Sequence, residues 1–147
     1  MKNKNDILVK KYLEEHSLFE SNITSFNNFL NKKMQEIVDD LNQSLTNEDV
    51  EIRLGRVKVG KPDIVEADGS TTVITPIIAK LRDLTYSAPV YIELSVKYGD
   101  QSDSAEVEIG RIPIIVRSAA CTTHNMNREE LVKNYMDSLD QGGYFII

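Results

Sequence analysis

The sequence contains no tryptophan and only one cysteine, Cys121. A lone cysteine excludes a disulfide within the chain, which is typical of proteins from a reducing compartment. No run of about 18 apolar residues occurs, so a membrane-spanning helix is not expected. The lysines near the start have no apolar stretch behind them, so the first residues do not resemble a signal peptide. Together these absences predict a cytoplasmic protein.

An excess of basic residues is also missing. The 17 lysines and arginines are outnumbered by 23 aspartates and glutamates, which gives a formal net charge of −6. This balance does not indicate nucleic-acid binding through bulk charge, and it leaves a local basic patch as an option. The chain has 147 residues, of which 41% are hydrophobic and 27% charged. That is enough for one globular domain with a buried core.

Helical periodicity dominates the first forty residues. Apolar residues recur at helical spacing in one long run and, more briefly, near the start. The long run contains Phe26, Phe29, Leu30, Met34, Ile37, Val38 and Leu41, and the short one contains Ile7, Leu8, Tyr12 and Leu13. The polar segment 42–49, NQSLTNED, then ends the periodicity. The pattern predicts N-terminal helices.

The next segment is strand-like and changes phase once. Residues 50–60, VEIRLGRVKVG, alternate between apolar and polar, and the alternation shifts at Gly55. A phase shift at a glycine predicts a β-bulge. The bulge would bring Arg53, Arg56 and Lys58 onto one face, although their numbering alone suggests otherwise. These three residues are called the basic stripe.

A hairpin is predicted after the basic stripe. Asp68-Gly69 lies between two β-rich segments, 64–67 and 70–74, and an Asp-Gly pair in this setting favours a type I′ turn. Pro76 is expected to end the second strand, because proline cannot donate a hydrogen bond to a neighbouring strand.

The longest predicted strand covers 90–98, where apolar and polar residues alternate strictly. A polar loop, 99–104, would connect it to an antiparallel partner over 105–109. Gly110 is expected to end that strand. Residues 112–116, IPIIV, then read as a separate buried strand.

A short C-terminal helix is predicted from its start signals. Asn127 is a good N-cap, and Glu130 completes a capping box. Met126 and Leu131 could form a hydrophobic staple across the cap. The buried face would contain Leu131, Val132, Tyr135, Met136 and Leu139. The fold class predicted is α+β, with N-terminal helices, an antiparallel or mixed sheet with hairpins, and one C-terminal helix before a final strand.

Chemical motifs are weak. Cys121 and His124 lie three residues apart, but a structural zinc site needs four ligands and the only other histidine is His16. The glycines and lysine of 55–61 match a phosphate-binding loop until Pro62, which stands where the magnesium-binding hydroxyl is required. No pair of carboxylates has a spacing that suggests acid–base catalysis. The residues themselves indicate a binding or structural domain without a metal site or an active site.

Two stretches are more specific than composition. They are LRDLTYSAPVY, residues 81–91, and IGRIPIIVRS, residues 109–118, followed by Cys121 and by the closing segment DQGGYFII, residues 140–147. With SFNNFL at 25–30 they resemble the second-largest subunit of multisubunit DNA-directed RNA polymerases, in its N-terminal protrusion domain. The Arg-Ser-x-x-Cys form is closer to archaeal and eukaryotic versions than to bacterial ones. Two departures are Ile78 and Lys80, where the family often has glutamate and arginine, and Gln141, where it often has proline.

The resemblance implies a role in DNA-templated transcription, as part of a nucleotidyltransferase. Residues 1–147 would form an incomplete protrusion domain, with the remainder of the subunit absent, and the piece alone would be inactive. Magnesium would be bound by the largest subunit, so no cofactor is expected here. The implied partners are the other polymerase subunits, DNA and general initiation factors, with no membrane. The location would be the cytoplasm, or the nucleus in a eukaryote.

The resemblance also suggests site residues. No catalytic residue is expected. One hypothesis is that the basic stripe contacts DNA phosphates, each contact adding to the salt dependence of binding. The favoured interpretation is a solvated strand face whose charges discourage edge pairing, because solvated charged faces are the common case. The family motifs contain Arg82, Asp83, Tyr86, Pro89, Gly110, Pro113, Arg117, Gly142 and Gly143.

Three further expectations concern these motifs and the whole chain. Arg82 and Arg117 are expected to be buried or paired, with Asp83 as a partner for an arginine. Residues 144–147 are expected to pack inward as a strand beside 112–116. A competing function is a stand-alone protein-binding module that never joins a polymerase.

Overall fold

The first part of the chain is helical. A computed structural model describes residues 4–16, 18–42, 45 and 50–147. Helix α1 spans Lys4–Glu15, α2 spans Glu20–Asn28 and α3 spans Met34–Asn42. A π-helical turn, Phe29–Lys33, joins α2 to α3 without a break. The predicted N-terminal helices are confirmed, whereas most of the segment 42–49 lies outside the described residues.

Strands and two short helices make up the remainder. The strands are β1 (Glu51–Val59), β2 (Asp63–Val65), β3 (Thr71–Val73), β4 (Ser87–Tyr98) and β5 (Gln101–Pro113), and the helices are α4 (Pro76–Leu81) and α5 (Arg128–Lys133). Strands β1, β4 and β5 form an antiparallel sheet in the order β1-β4-β5, and β2 pairs with β3. The α+β class is confirmed. None of the described helices is long and apolar enough to cross a membrane.

The predicted bulge in β1 is confirmed. Leu54 pairs with Leu94 and Val57 with Ile92, so two residues of β1, Gly55 and Arg56, stand opposite one residue of β4. A side chain at Gly55 would begin 2.9 Å from the carboxylate of Glu93 and 3.1 Å from its Cβ. Glycine is therefore suited to this position because the two strands approach closely.

Side-chain amides of α3 close the outer edge of β1. Asn42 donates to the carbonyl oxygen of Leu54 (2.6 Å) and accepts from its N–H (2.7 Å). Gln35 donates to the carbonyl oxygen of Gly55 (3.1 Å) and accepts from the N–H of Val57 (3.0 Å). These groups point away from β4 and would otherwise lack a partner within the sheet. The helix therefore takes the place of a neighbouring strand.

Both hairpin turns differ from the predictions. Gly69 has φ +83° and is the only residue of the Asp-Gly turn with positive φ, and its N–H donates to the carbonyl oxygen of Glu66 (2.9 Å). A type I′ turn needs positive φ at both central residues, so the predicted type is wrong. The prediction of a polar loop over 99–104 is also wrong. Tyr98 pairs with Gln101, so β5 begins directly after a two-residue turn.

The segment around Gly110 is continuous rather than broken. Val90 pairs with Gly110 and Tyr91 with Glu108, so β5 passes through a bulge and ends at Pro113. Residues 114–116 are buried as predicted, but they are not part of a strand. A bulge absorbs one extra residue without ending the pairing, which explains why a glycine did not break this strand. Helix α4, which begins at Pro76, was not predicted.

Helix α5 is shorter than its apolar pattern. The capping box is confirmed, because Glu130 N–H donates to Asn127 Oδ1 (2.9 Å) and Asn127 N–H donates to Glu130 Oε2 (2.8 Å). The chain leaves the helix after Lys133, and Tyr135 has φ +59° with 88% of its surface exposed. Of the predicted buried face, Leu131 and Met136 are buried, and Val132, Tyr135 and Leu139 are exposed.

Tyr86 lies at the centre of the main core. It is fully buried, together with Ile74, Ala79, Ala88, Ile114 and Cys121. Its hydroxyl lies 2.8 Å from Thr122 Oγ1 and accepts from the Thr122 N–H (3.0 Å). Its own N–H donates to Ile146 and its carbonyl oxygen accepts from Ile114, both at 2.9 Å. Tyr86 therefore connects three distant segments.

The closing segment lies beside 112–116, as predicted, but the predicted final strand is wrong, because residues 141–147 belong to no strand. Val116 donates to the carbonyl oxygen of Tyr144, and Gly143 donates to that of Val116, both at 2.9 Å. The prediction that all four last residues pack inward is wrong. Tyr144 and Ile146 contact the core, whereas Phe145 is 45% and Ile147 is 89% exposed. An extended segment alternates its side chains between two faces, so only every second one can point inward.

A close backbone approach at Gly142 gives the first prediction. Gly142 has φ +72°, and a Cβ there would overlap the carbonyl oxygen of Val116. We expect Gly142→Ala to lower the free energy of unfolding by roughly 3 kcal/mol, from both backbone strain and overlap. Gly69→Ala is the matched control, because Gly69 has φ +83° and nothing within 4 Å of an added Cβ. Gly69→Ala should lower the free energy of unfolding by about 1 kcal/mol. If urea denaturation gave equal losses for the two variants, the contact between residue 142 and Val116 would not be the cause.

The second prediction concerns the Tyr86 hydroxyl. Burial, and next the neighbouring Cys121 thiol, raise the pKa of Tyr86 above its usual 10.0. An unfolded tyrosine ionises near pH 10, so this contribution to stability is complete below about pH 10 and is lost as the pH rises further. Tyr86→Phe should cost about 1–2 kcal/mol at neutral pH, because Thr122 loses a buried partner.

Alkaline unfolding checks the second part of that prediction. Stability should fall less steeply above pH 10 in Tyr86→Phe than in the unchanged protein. The exposed Tyr135 provides the control, since Tyr135→Phe alters a side chain that is 88% exposed. If stability fell equally steeply above pH 10 in Tyr86→Phe and in the unchanged protein, ionisation of the buried phenol would not be the cause of alkaline unfolding.

Candidate functional site

Two members of the basic stripe lie on the same face of the sheet. Arg53 pairs with Ser95 and Lys58 with Tyr91 across β4, and these two partners are four residues apart on a regular strand. Partners on a strand at even spacing share a face. Arg56 lies in the bulge and is exposed. On a regular strand an odd-numbered and an even-numbered residue would lie on opposite faces. The extra residue of the bulge places Arg53 and Lys58 on the same face.

Carboxylates share this face with the cations. Arg53 Nη2 lies 2.6 Å from Glu51 Oε1, and Lys58 Nζ contacts a carboxylate oxygen of Glu106 on β5. Glu106 pairs with Glu93 across the strands. Arg56 forms no ion pair with any residue that the structure describes. The face therefore has charges of both signs, and of the basic stripe only Arg56 keeps an uncompensated charge.

Arg82 and Asp83 follow α4 and have different roles. The Arg82 guanidinium binds both carboxylate oxygens of Glu66, at 2.7 and 3.0 Å. This hydrogen bonding lowers the pKa of the Glu66 carboxyl. The predicted partner of an arginine, Asp83, is not the one used: it has φ +50° and lies in the turn after α4. Both members of the Arg82–Glu66 pair are partly exposed, so it connects α4 to the β2–β3 hairpin without adding much stability.

Arg117 acts on backbone carbonyls. It has φ +70°, and its guanidinium donates to the carbonyl oxygens of Met126 (3.1 Å) and Thr123 (3.4 Å). The side chain is half-buried and connects the turn after residue 116 to the segment that precedes α5. Its charge is used inside the domain and is not presented at the surface as an open cation.

The remaining motif residues stabilise the β4–β5 region. Pro89 is buried, and a Cβ at Gly60 would lie 2.9 Å from its ring. Pro113 pairs with Ser87 at the end of β5, and Gly110 stands opposite Val90 at the bulge. These residues contribute strand register and packing, and none of them places a reactive group in a cleft.

The two residues considered as metal ligands have separate neighbours. The buried Cys121 thiol lies 3.4 Å from the Tyr86 hydroxyl. His124 is exposed, with Nδ1 3.0 Å from the carbonyl oxygen of Arg117. Across the part of the chain that the structure describes, no three histidine, cysteine, aspartate or glutamate side chains are grouped as metal ligands would be.

Sequence reasoning missed a polar network at the closing segment. Lys80 Nζ donates to the Tyr144 hydroxyl (2.7 Å), which donates to Asp140 Oδ2 (2.6 Å). Asp140 Oδ1 in turn accepts from the N–H of Gly142 (2.8 Å). Burial and then the Asp140 carboxylate raise the pKa of Tyr144. Lys80 is 64 residues from Tyr144, so no local pattern could have indicated the contact.

Comparison with known proteins gives consistent results. The family model described as RNA polymerase beta subunit matches residues 17–147. DNA-directed RNA polymerase subunit Rpo2N of Methanocaldococcus jannaschii is 41% identical over 147 residues, covering 95% of this chain and 30% of the relative.

More distant relatives have similar names. Subunit Rpo2 of Saccharolobus solfataricus is 32% identical over 142 residues, covering 95% of this chain and 13% of the relative. DNA-directed RNA polymerase II subunit RPB2 of Schizosaccharomyces pombe is 36% identical over 172 residues, covering 95% of this chain and 14% of the relative. The chain spans less than a third of the length of these relatives. The resemblance seen in the motifs is confirmed, and the chain belongs to the RNA polymerase beta subunit family.

Proposed function

We propose that the chain is the N-terminal part of the second-largest subunit of a DNA-directed RNA polymerase and takes part in DNA-templated transcription. The observation that carries the proposal is the alignment of 95% of the chain with relatives named as subunit Rpo2N or Rpo2 of DNA-directed RNA polymerase, at 32% to 41% identity. The matched region would be part of a protrusion domain. Its implied place is the cytoplasm of an archaeal-like cell, or the nucleus of a eukaryote.

The proposed role is architectural rather than catalytic. Motif residues such as Tyr86, Arg117 and Gly142 are used for buried hydrogen bonds, backbone contacts and close packing. Nucleotidyl transfer and its magnesium ions would then belong to the largest subunit. On this proposal the chain forms one wall of the DNA cleft, next to other polymerase subunits and general initiation factors.

The charges of the basic stripe narrow the proposed DNA contact to one residue. Arg53 is paired with Glu51 and Lys58 with Glu106, so a phosphate would have to displace a carboxylate from each. Arg56 is exposed and forms no ion pair with a described residue. A free guanidinium can bind phosphate without that competition. The proposal assigns any phosphate contact of the basic stripe to Arg56.

The third prediction tests this assignment in the assembled polymerase. Each neutralised phosphate contact contributes about 0.9 to the slope of log K against log salt concentration. Arg56→Gln should reduce the slope by about that amount, whereas Arg53→Gln, the control at an ion-paired position, should leave it nearly unchanged. An unaltered slope for Arg56→Gln, or equal reductions for both variants, would contradict the assignment.

The fourth prediction separates a polymerase subunit from a stand-alone binding module. An affinity tag placed on the native protein in its own cells should recover the largest polymerase subunit in stoichiometric amount. The same purification from cells with a tag on an unrelated protein controls for carry-over. Recovery of the protein without any polymerase subunit would contradict the proposed function and favour the binding module.

A further inference from the structure

The two edges of the main sheet are treated differently. The outer edge of β1 is closed by the amides of Gln35 and Asn42. Strand β5 forms the opposite edge and pairs only with β4 among the described strands. It is 13 residues long, and every residue from Gln101 to Arg111 is exposed. An unpaired edge of this length is a template for another strand.

The two faces of β5 offer different chemistry. Glu106 and Glu108 stand opposite Glu93 and Tyr91, on the face of the basic stripe. Ala105 and Val107 lie on the other face, and Val107 is 40% exposed although its partner across the strands, Ile92, is buried. A strand added outside β5 would therefore meet carboxylates on one face and apolar side chains on the other.

The charges argue against a second copy of this chain as the occupant. Residues 99–110 contain Asp100, Asp103, Glu106 and Glu108, and no lysine or arginine. Pairing β5 with another β5 would bring these carboxylates close to one another. Like charges on adjacent strands destabilise the pairing, whereas opposite charges stabilise it. The edge is thus complementary in charge to a basic strand and would repel the β5 edge of a second copy.

From these features we infer that the outer edge of β5 is the docking site for an extended segment of another polypeptide, in which lysine or arginine alternates with apolar residues. The segment joins the sheet as a fourth strand and hydrogen-bonds to the outward N–H and C=O groups of β5. Its basic side chains lie beside Glu106 and Glu108, and its apolar side chains lie beside Ala105 and Val107. The inference concerns a partner of the sheet edge and is independent of the DNA contact assigned to Arg56.

Glu108 is the carboxylate best placed to select the partner. Glu106 already contacts Lys58 within the sheet. Glu108 is exposed and forms no ion pair with any residue in the described ranges. A basic side chain on the incoming strand would give Glu108 an ion-pair partner. Its substitution should therefore weaken docking without disturbing an ion pair of the domain.

The experiment is photo-cross-linking in the complete protein, assembled with its native partners. Benzoylphenylalanine replaces Ser104, which is exposed on β5, and mass spectrometry identifies the captured peptide. We expect a peptide of a different polypeptide with alternating basic and apolar residues. The same group at Asn31, exposed on the π-helical turn, is the position control and should not capture that peptide.

Charge variants and hydrogen exchange then test the mode of docking. Glu108→Lys should reduce the cross-link yield about threefold to tenfold, and Glu108→Gln should reduce it less. Glu129→Lys, which changes an exposed carboxylate on α5, should leave the yield unchanged. Alternate amides of 102–108, those not bonded to β4, should exchange more slowly when the partner is present, because strand addition protects them.

Several results would overturn the inference. They are the absence of any cross-link from Ser104, capture of a second copy of this chain, and capture of another part of the same polypeptide. Capture of a peptide without basic residues, or a yield unaffected by Glu108→Lys, would overturn it equally. Fast exchange at the outward amides in the assembled protein would show that the edge is left open and is protected only by its charges.

Discussion

The buried hydrogen bonds of Tyr86 are the interaction on which the rest of the structure depends. The backbone of this residue bonds to Ile114 on one side and to Ile146 on the other, and its hydroxyl fixes Thr122. Four segments that are distant in sequence therefore meet at one fully buried side chain. A phenol in this environment must keep its partners, since an unsatisfied buried polar group costs about 1–3 kcal/mol. The backbone N–H of Tyr86 is satisfied by Ile146, and Val116 bonds to Gly143 and Tyr144, so the closing segment lies against the core and Gly142 lies close to Val116.

Charge pairing determines what the sheet can offer to other molecules. The acidic excess of the chain is not spread evenly over the sheet. Glu51 and Glu106 neutralise two cations of β1, whereas residues 101–110 of β5 contain no lysine or arginine. The sheet therefore has paired charges of both signs beside β1 and an excess of carboxylates over residues 101–110 of β5. On the two proposals made above, a nucleic acid and a basic peptide would meet opposite edges of the same three-stranded sheet.

Local signals predicted local features well. The glycine at the phase shift indicated the bulge at Gly55, and the Asn127–Glu130 pair indicated the start of α5, because both depend on residues that are neighbours in sequence. The ends of elements were less predictable. Helix α5 stops at Lys133 although its apolar pattern continues, and β5 passes through Gly110. The candidate site also combines local and distant features. The shared face of Arg53 and Lys58 could be predicted from the bulge. The Lys58–Glu106 contact could not, because it joins residues that are 48 apart in the sequence.

The π-helical turn explains why one continuous apolar stripe did not produce one buried face. A π turn inserts a residue relative to α-helical spacing, and each residue rotates the helix by about 100°. Phe26, before the turn, packs against the core, whereas Ile37, after it, is 53% exposed. The rotation presents Gln35 to the edge of β1, where it bonds to both sides of the bulge. A glutamine on a helix that precedes the whole sheet therefore bonds to the residues on both sides of Arg56.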